Sequence, residues 1–158
     1  MVCFNELGLN IIENKQTKGG CMEGCMNNVQ VVQQIYKCFE KRDIQGILEF
    51  CAEEIDWDNS MVASAECPWN GNFSGRSKVP HFFKTVDEFL DINHFEPKVF
   101  LENGPYVAVN LRIASTVRKT NKKFENDSIH FWTFNKNGKV IGYRHFNDTA
   151  AELAAWKK

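Results

Sequence analysis

The residues best suited to chemistry lie on a short apolar stretch near the C-terminus. In SIHFWTF (residues 128–134), His130 is the one ionisable side chain, and Trp132 and Phe134 follow at alternate positions. Because side chains alternate across a strand, these three are expected on one face. An imidazole in an apolar pocket can donate a hydrogen bond to a developing enolate oxygen or transfer a proton near neutral pH. The same pattern also fits a purely structural role, in which a buried histidine forms a hydrogen bond with one neighbour and takes no part in chemistry.

A second candidate set comes from EEIDWDN, whose alternation predicts a strand. Trp57 and Asn59 share strand parity with Ile55, so we expect both side chains to face the interior. Asp56 and Asp58 have the opposite parity and are expected in solvent. Asn59 could donate a hydrogen bond to a substrate carbonyl, or it could cap the loop that follows the strand.

Further candidates lie in a loop and on the last strand. Trp69, in the long loop SMVASAECPWNGNFSG, could close the mouth of a pocket as an aromatic wall, or it could anchor the loop on the third helix. His145 shares parity with Tyr143 and is a candidate substrate-binding residue. Asp148 could act as a base at the pocket rim, but the pattern NDTA favours the N-cap of a terminal helix.

The sequence shows no spacing typical of a metal or cofactor site. Cys21 and Cys25 stand at i and i+4, which on a helix would place both thiols on one side. Zinc normally needs a fuller ligand set and no histidine lies nearby, so two incidental thiols are the favoured interpretation. No Ser-His-Asp order and no glycine-rich phosphate loop stands out. We therefore predict a protein without metal or cofactor.

The bulk composition narrows the class of partner. The chain has 158 residues, 25% of them charged, and a formal net charge of −1. This balance offers no electrostatic reason for binding nucleic acid or an anionic membrane. No apolar run approaches the ~20 residues that span a bilayer, and the N-terminus lacks a secretory pattern. Its six cysteines do not suggest a disulfide framework, so a cytoplasmic protein is predicted.

The chain is predicted to consist of an arm and one domain. Residues 1–26 contain Gly- and Asn-rich sequence without a sustained period, which is typical of a flexible N-terminal arm. From residue 27 the apolar residues follow helical and then strand periods up to residue 158, so residues 27–158 are predicted to form the domain.

Three helices are predicted in the first part of the domain. Asn27 or Asn28 would cap the first helix, Asp43 the second and Ser77 the third. Pro80 falls in the first turn of the third helix, where its missing N–H has no intrahelical partner to lose. A short helix-prone segment, TAAELAAWKK, ends the chain.

Strand-like runs separated by turn signals fill the region after the third helix. Asn137–Gly138 is the strongest hairpin signal. Helices followed by antiparallel strands are typical of an α+β fold, with about three helices packed on one face of a bent antiparallel sheet. Ile129 and Phe131, on the face opposite His130, are also apolar. We therefore expect the outer face of the sheet to meet a second copy of the chain in a homodimer.

Three segments carry a resemblance to a known family. DIQGILEFCAEEIDW, PWNGNFSGRSKVPHFF and SIHFWTFNKNGKVIGYRHFNDTA resemble the SnoaL-like branch of the NTF2-like (ketosteroid-isomerase-like) superfamily. The resemblance extends over residues 28–156, nearly all of the chain after the arm. It implies a cone fold, in which a strongly bent sheet wraps around a helix and leaves an apolar pocket in its mouth. It also implies a dimer formed through the sheet.

The catalytic residues of the ketosteroid isomerases transfer only in part. The resemblance places their aspartate base at Asn59, whose amide cannot take up a proton at neutral pH. Their tyrosine donor falls at Ile35, and the neighbouring Tyr36 is expected to face elsewhere. Their second oxyanion donor falls at His130. Steroid isomerisation by that mechanism is therefore not expected, and the resemblance does not assign the base of the related polyketide cyclases to a residue of this chain.

Two functions follow from these observations. The first is a small-molecule-pocket protein, acting as a cofactor-independent isomerase, cyclase or lyase on an apolar carbonyl compound. His130 and Asn59 are its candidate catalytic residues, and the candidate substrate-binding residues are Trp57, Trp69, Trp132, Phe134 and His145. The second function is a non-catalytic ligand-binding or dimerisation module, which the missing carboxylate base favours.

Overall fold

The computed structural model describes residues 26–60 and 66–158, which form four helices and five strands. In chain order these are α1 (Asn28–Glu40), α2 (Ile44–Phe50), β1 (Cys51–Asp58), α3 (Val79–Phe89), β2 (Leu90–Asn103), β3 (Tyr106–Val117), β4 (Lys122–Phe134), β5 (Val140–Phe146) and α4 (Thr149–Trp156). No helix in these ranges is long and apolar enough to cross a membrane. The predicted arm, with Cys21 and Cys25, lies outside the described residues except for Met26.

The five strands form one sheet in the order β1-β5-β4-β3-β2. From β2 to β5, each strand pairs antiparallel with the next strand in the chain. The predicted hairpin at Asn137–Gly138 joins β4 to β5, and Gly138 has a φ of 72° in its turn. The prediction of an entirely antiparallel sheet is wrong at one edge, where β1 pairs parallel with β5. Parallel neighbours need a long crossover, which the chain between β1 and β5 supplies. The α+β class is confirmed.

Polar side chains begin three of the helices as predicted. Asn27 forms a capping box with the first turn of α1. The carboxylates of Asp43 and Asp148 accept backbone N–H groups at the starts of α2 and α4. The predicted cap at Ser77 is wrong, because α3 begins one residue later without a side-chain cap. Pro80 in its first turn has no N–H to offer to such a cap.

Two apolar clusters form the core. The larger one joins α1, α2 and α3 to the inner face of the sheet, and its largest fully buried side chains are Trp57 and Trp132. The smaller one joins α4 to the loop before α3, where the rings of Trp69 and Trp156 meet edge to face with centroids 5.5 Å apart. The short terminal helix is therefore part of the core and forms one wall of the site described below.

The loop before α3 returns along the edge of β1. The backbone N–H of Phe73 donates to the carbonyl of Trp57 at 2.8 Å. The backbone N–H of Gly75 donates to the carbonyl of Ile55 at 2.7 Å. These bonds cover an edge that would otherwise expose unpaired backbone groups, and they hold the loop that carries Trp69 against the core.

Asp58 does not lie in solvent. The parallel pairing of β1 and β5 sets Arg144 opposite Asp58, and the Arg144 guanidinium donates hydrogen bonds to both Asp56 and Asp58. Asp58 is only 8% exposed and also accepts from Ser60. The expectation of a solvated carboxylate is therefore wrong for Asp58, because it did not include the cation that the neighbouring strand supplies, whereas the Asp56 side chain is 50% exposed.

The outer face of the sheet has an apolar part and a charged part. Its exposed large apolar side chains are Val99, Leu101, Tyr106, Ile141 and Phe146. Tyr106 also stacks on Phe131, with ring centroids 5.6 Å apart. Farther along the sheet, Arg112 pairs with Glu125 and Lys98 with Asp127. The five exposed apolar side chains lie on β2, β3 and β5, and Phe131 lies on β4 between β3 and β5.

Candidate active site

A cavity lies between α1, α3, α4 and the inner face of the sheet. Its volume, counted as the space open to the centre of a water molecule, is about 90 Å³. This volume suits a small ligand. Aromatic and aliphatic side chains make most of its wall. Its lining residues with hydroxyl, amide, imidazole or carboxyl groups are Tyr36, Asn59, Ser115, His130, Tyr143, His145 and Glu152. An apolar wall with a few polar groups is typical of a small-molecule site.

Tyr36, His130 and Trp132 form a hydrogen-bonded chain in the cavity wall. The Tyr36 oxygen lies 3.0 Å from His130 Nδ1 and accepts from Trp132 Nε1 at 3.3 Å. The indole N–H can only donate, so it occupies one lone pair of the Tyr36 oxygen. The direction of the Tyr36–His130 bond depends on the tautomer of His130. In the tautomer in which the Tyr36 hydroxyl donates to Nδ1, a neutral His130 carries its proton on Nε2, where it can donate a hydrogen bond.

The orientation of Tyr36 differs from the expectation. Ile35 and Tyr36 are both buried, and both line the cavity. A helix that is in contact with the sheet on one side and with other helices on another buries a wide stripe, so that neighbouring positions can both face the interior. The prediction that Tyr36 faces elsewhere is wrong for this reason.

Burial keeps the two histidines of the cavity neutral. Burial, and after it the proximity of His145, hold the pKa of His130 well below its usual range. Burial lowers the pKa of His145 to about 4. The two residues are paired across β4 and β5, and their rings meet edge to face with centroids 4.7 Å apart. At neutral pH this part of the cavity therefore offers hydrogen bonds without charge.

Two nitrogens of the cavity wall are buried without a hydrogen-bond partner among the described residues. They are Trp57 Nε1 and His145 Nε2. An unsatisfied buried polar group costs about 1–3 kcal/mol, so its presence needs an explanation. Trp57 is 1% exposed, and its N–H can only donate. A bound molecule with an oxygen acceptor would satisfy it.

Glu152 is a buried carboxyl that the sequence analysis did not identify. It is 4% exposed and lines the cavity from α4. Its Oε2 accepts from Trp69 Nε1 at 3.4 Å and from Asn70 Nδ2 at 3.2 Å. Its Oε1 accepts from Asn147 Nδ2. Burial raises the pKa of the Glu152 carboxyl, and the hydrogen bonds from these three side chains oppose that rise.

Asn59 lines the cavity, but its amide is engaged by the loop. Its Nδ2 donates to the carbonyl of Trp69 at 2.9 Å and to Asn70 Oδ1 at 3.1 Å. This arrangement matches the loop-capping interpretation of Asn59. Both hydrogens of the amide group are used in this way, so only its oxygen remains to meet a ligand. Its predicted catalytic role stays a prediction.

The other candidate substrate-binding residues occupy different positions. Trp57, Trp132, His145 and Trp69 all line the cavity. Trp69 contacts Trp156 of α4, in a cluster against which Val86 and Phe89 of α3 also pack. Phe134 is buried in the larger core cluster and is not part of the cavity wall. A register shift in the pairing with β5 falls just before Phe134, at the end of β4.

Tyr36 and Glu152 are the functional candidates missed in the sequence. Glu152 had a visible signal, since it is the single charged residue in the otherwise apolar run AAELAAW. A lone carboxyl in such a run is rarely buried unless it is hydrogen-bonded. Tyr36 had no comparable signal, because its partner His130 stands 94 positions away.

The comparison with known families agrees with this architecture. The sequence model of the family described as "SnoaL-like domain" matches residues 32–143 of this chain. The chain belongs to the SnoaL-like domain family. The resemblance inferred from the sequence, including its NTF2-like fold, is therefore confirmed. A search of the curated proteins found no match.

Solved structures share the fold of this SnoaL-like protein. An NTF2-like protein from Burkholderia xenovorans is 29% identical, with a TM-score of 0.73 over 82% of this chain and 95% of that one. TerC, co-crystallised with polyporic acid, is 24% identical, with a TM-score of 0.68 over 83% and 98% of the two chains. A protein from Catenulispora acidiphila with a ketosteroid-isomerase-like fold, in complex with trimethylamine, is 9% identical, with a TM-score of 0.65 over 80% and 91%.

Proposed function

We propose that this SnoaL-like protein binds a small, mostly apolar carbonyl compound in the cavity and converts it by acid–base chemistry, as a cofactor-independent isomerase, cyclase or lyase. The observation that carries the proposal is the unpartnered Trp57 Nε1, a buried donor on an aromatic wall. A carbonyl oxygen is the acceptor that this N–H lacks. TerC, which shares the fold, was co-crystallised with an organic compound, polyporic acid.

His130 supplies the electrophilic group in this proposal. When a proton leaves the carbon next to a carbonyl, negative charge develops on the oxygen. A neutral imidazole N–H in a dry site can stabilise that charge. Tyr36 and Trp132 fix the ring through the hydrogen-bonded chain, so that the donor needs no reorganisation during the reaction.

The test uses β-tetralone, an apolar ketone with acidic C–H groups next to its carbonyl. In deuterium oxide, abstraction of such a proton forms the enolate, and return of a deuteron from solvent leaves a mass label. We expect the wild type to accelerate this exchange and His130→Ala to lose about 100-fold of the acceleration, the usual effect of removing an oxyanion donor. Mass spectrometry of the recovered ketone measures both rates.

Controls separate a catalytic loss from unfolding. His81 is exposed on α3, so His81→Ala should retain the wild-type exchange rate. His130→Gln retains an N–H donor in the cavity, and its thermal unfolding shows whether the site still folds. An unchanged exchange rate in folded His130→Ala would exclude His130 from the mechanism.

Binding without turnover is the second candidate. The hydrogen bonds of Asn59 support it, because the residue at the position of the ketosteroid-isomerase base is used to hold a loop. In that case β-tetralone raises the melting temperature of the protein through binding linkage, while the exchange rate equals that of buffer. The two measurements together distinguish enzyme from binding module.

We also propose that a second copy of the chain covers the outer face of the sheet. The exposed side chains there include Leu101, which is 66% exposed, and Tyr106, which stacks on the half-buried Phe131. Exposed apolar groups across neighbouring strands are typical of an interaction site. Leu101→Glu should convert a dimer to a monomer in light scattering after size exclusion, whereas Lys84→Glu, at an exposed position of α3, should not.

The cytoplasm is the proposed compartment. Cys38, Cys51 and Cys67 are free thiols, which suits a reducing environment. Fractionation of cells that express the chain with a C-terminal tag tests this, and recovery of the tag outside the cytoplasmic fraction would contradict it.

A further inference from the structure

We propose that the carboxylate of Glu152 is the general base of the site. The proposal rests on the proposed acid–base function and names the group that takes up the substrate proton. Glu152 lines the same cavity as His130 and His145, but from α4 rather than from the sheet. Substrate bound between the sheet and α4 would then meet an N–H donor on one side and a carboxylate on the other.

The positions along β5 and β4 show how the two groups are arranged. His145 is paired with His130 across the strands, and Asn147 comes two residues after His145, just beyond the end of β5. The amide of Asn147 donates to Glu152 Oε1. Glu152 is therefore held by a residue two positions after His145, and all three of Glu152, His130 and His145 line the same cavity.

The hydrogen bonds of Glu152 leave one acceptor position open. A carboxylate has about four lone-pair sites on its two oxygens. Oε2 receives two donors, from Trp69 and Asn70, whereas Oε1 receives only the Asn147 amide. All three partners donate, as an ionised carboxylate requires. The remaining site on Oε1 can accept a proton from a molecule in the cavity.

Asn59 acts on this base through the loop and is a positioning residue. Its amide donates to Asn70 Oδ1, and Asn70 Nδ2 in turn donates to Glu152 Oε2. The orientation of the Asn70 amide is fixed by these two bonds, because the same group accepts on one side and donates on the other. This gives Asn59 a role that does not require it to touch the substrate.

A purely structural role for Glu152 is the competing explanation. The residue does tie α4 to the loop through Trp69 and Asn70. Such a tie could be made by a neutral side chain without the desolvation cost of a buried carboxylate. The structural explanation also predicts that losing any one of the donors has an effect similar to losing Glu152 itself.

The experiment uses 5-nitrobenzisoxazole, a chromogenic probe that needs only a base. The carboxylate removes the proton from the ring carbon next to nitrogen, a carbon–nitrogen triple bond forms, and the nitrogen–oxygen bond breaks. The electron pair leaves on oxygen as a coloured phenolate, and the protonated carboxyl returns its proton to water. The reaction requires no oxidant or co-reactant. It also does not depend on a hydrogen-bond donor to a carbonyl oxygen.

We expect the wild type to open this ring and Glu152→Gln to lose at least ~100-fold of the rate, as for the loss of a general base. Asn72 lies on the same loop, but its amide donates to Asp56 and it does not line the cavity, so Asn72→Ala should retain the wild-type rate. In Glu152→Ala, added formate should restore part of the rate by supplying a small carboxylate. A wild-type rate no greater than that of folded Glu152→Gln overturns the proposal.

The outcomes for base and function can be told apart. If Glu152→Gln keeps the wild-type rate of ring opening while β-tetralone exchange still depends on His130, the site is catalytic and Glu152 is not its base. If ring opening depends on Glu152 but β-tetralone is neither bound nor exchanged, the base is assigned and the carbonyl substrate class is wrong.

Discussion

The two polar groups of the cavity differ in how burial acts on them. The group on the sheet, Tyr36–His130–Trp132, is uncharged, and burial holds the pKa of His130 well below its usual range. The group on α4 centres on Glu152, whose pKa burial raises and whose three donors favour the ionised form. The same dry environment thus makes a histidine into a neutral donor and a carboxyl into a stronger base.

This contrast explains why both groups can serve one reaction. A donor for the developing oxyanion should be neutral in the ground state and prefer a negative partner, whereas a base should have a pKa raised toward the working pH. The two requirements are met on different elements, the sheet and the terminal helix. Changing the charge state or the partners of either group tests the comparison.

The largest expected effect is on the free energy of unfolding, when His145 is protonated at acidic pH. The unfolded chain protonates His145 near pH 6.5, but the folded protein resists until about pH 4. The stability that depends on neutral His145 is therefore complete above pH 6.5 and lost as the pH falls toward 4. The loss amounts to about 3 kcal/mol of the free energy of unfolding. Denaturant titrations at a series of pH values measure it.

The matched variant for that experiment is His145→Gln, which cannot titrate. It should show a flatter acid limb than the wild type, whereas the exposed-site variant His81→Gln should follow the wild-type curve. Equal acid limbs for His145→Gln and the wild type would show that the cavity histidines do not couple to folding.

Removal of the Tyr36 hydroxyl should have the next largest effect. Tyr36→Phe leaves Trp132 Nε1 and His130 Nδ1 without their partner in a buried site. The expected cost is about 2 kcal/mol in the free energy of unfolding, measured by urea titration. Tyr106 is 46% exposed, so the same deletion in Tyr106→Phe should cost less than about 0.5 kcal/mol. Similar costs for the two variants would contradict a hydrogen-bonded chain at Tyr36.

A smaller effect is expected when one donor to the base is removed. Asn70→Ala deletes a hydrogen bond that lowers the pKa of Glu152, so that pKa should rise further. Asp148, Tyr143 and Cys67 are the other titratable groups that interact with this carboxyl. Because the base acts in its deprotonated form, the acid limb of the ring-opening rate should move to higher pH, by less than about one unit.

Asn72 provides the control for Asn70. It lies on the same loop, but its amide donates to Asp56 instead of Glu152. Asn72→Ala should leave the acid limb at the wild-type pH. A shift of equal size in both variants would show that loop disorder, rather than the lost hydrogen bond, changes the rate.

The smallest expected effect is on ligand binding at the unpartnered indole. Trp57→Phe removes an N–H that has no partner among the described residues. Because the smaller ring also leaves a cavity in the core, the variant should lose about 1–3 kcal/mol of the free energy of unfolding without ligand. Binding of β-tetralone should weaken by about tenfold, the value of one neutral hydrogen bond. Calorimetry of the wild type and the variant measures this, and equal affinities would show that the ligand does not meet Trp57.

Local patterns were sufficient for much of the fold. Alternation correctly placed His130 and Trp132 on the inner face of β4, because strand parity depends only on neighbouring residues. The caps Asn27, Asp43 and Asp148 were also predictable, since a capping side chain bonds within its own first turn. Each of these inferences required only a few consecutive residues.

What the sequence by itself determined is therefore the set of elements, their inner faces, the family and the presence of His130 in an apolar site. The tertiary structure decided the parallel pairing that gives Asp58 its Arg144, the contact between Tyr36 and His130, and the arrival of Glu152 from α4 in the cavity. These contacts join residues far apart in the chain. No local period encodes them, because they depend on how the helices and the sheet pack together.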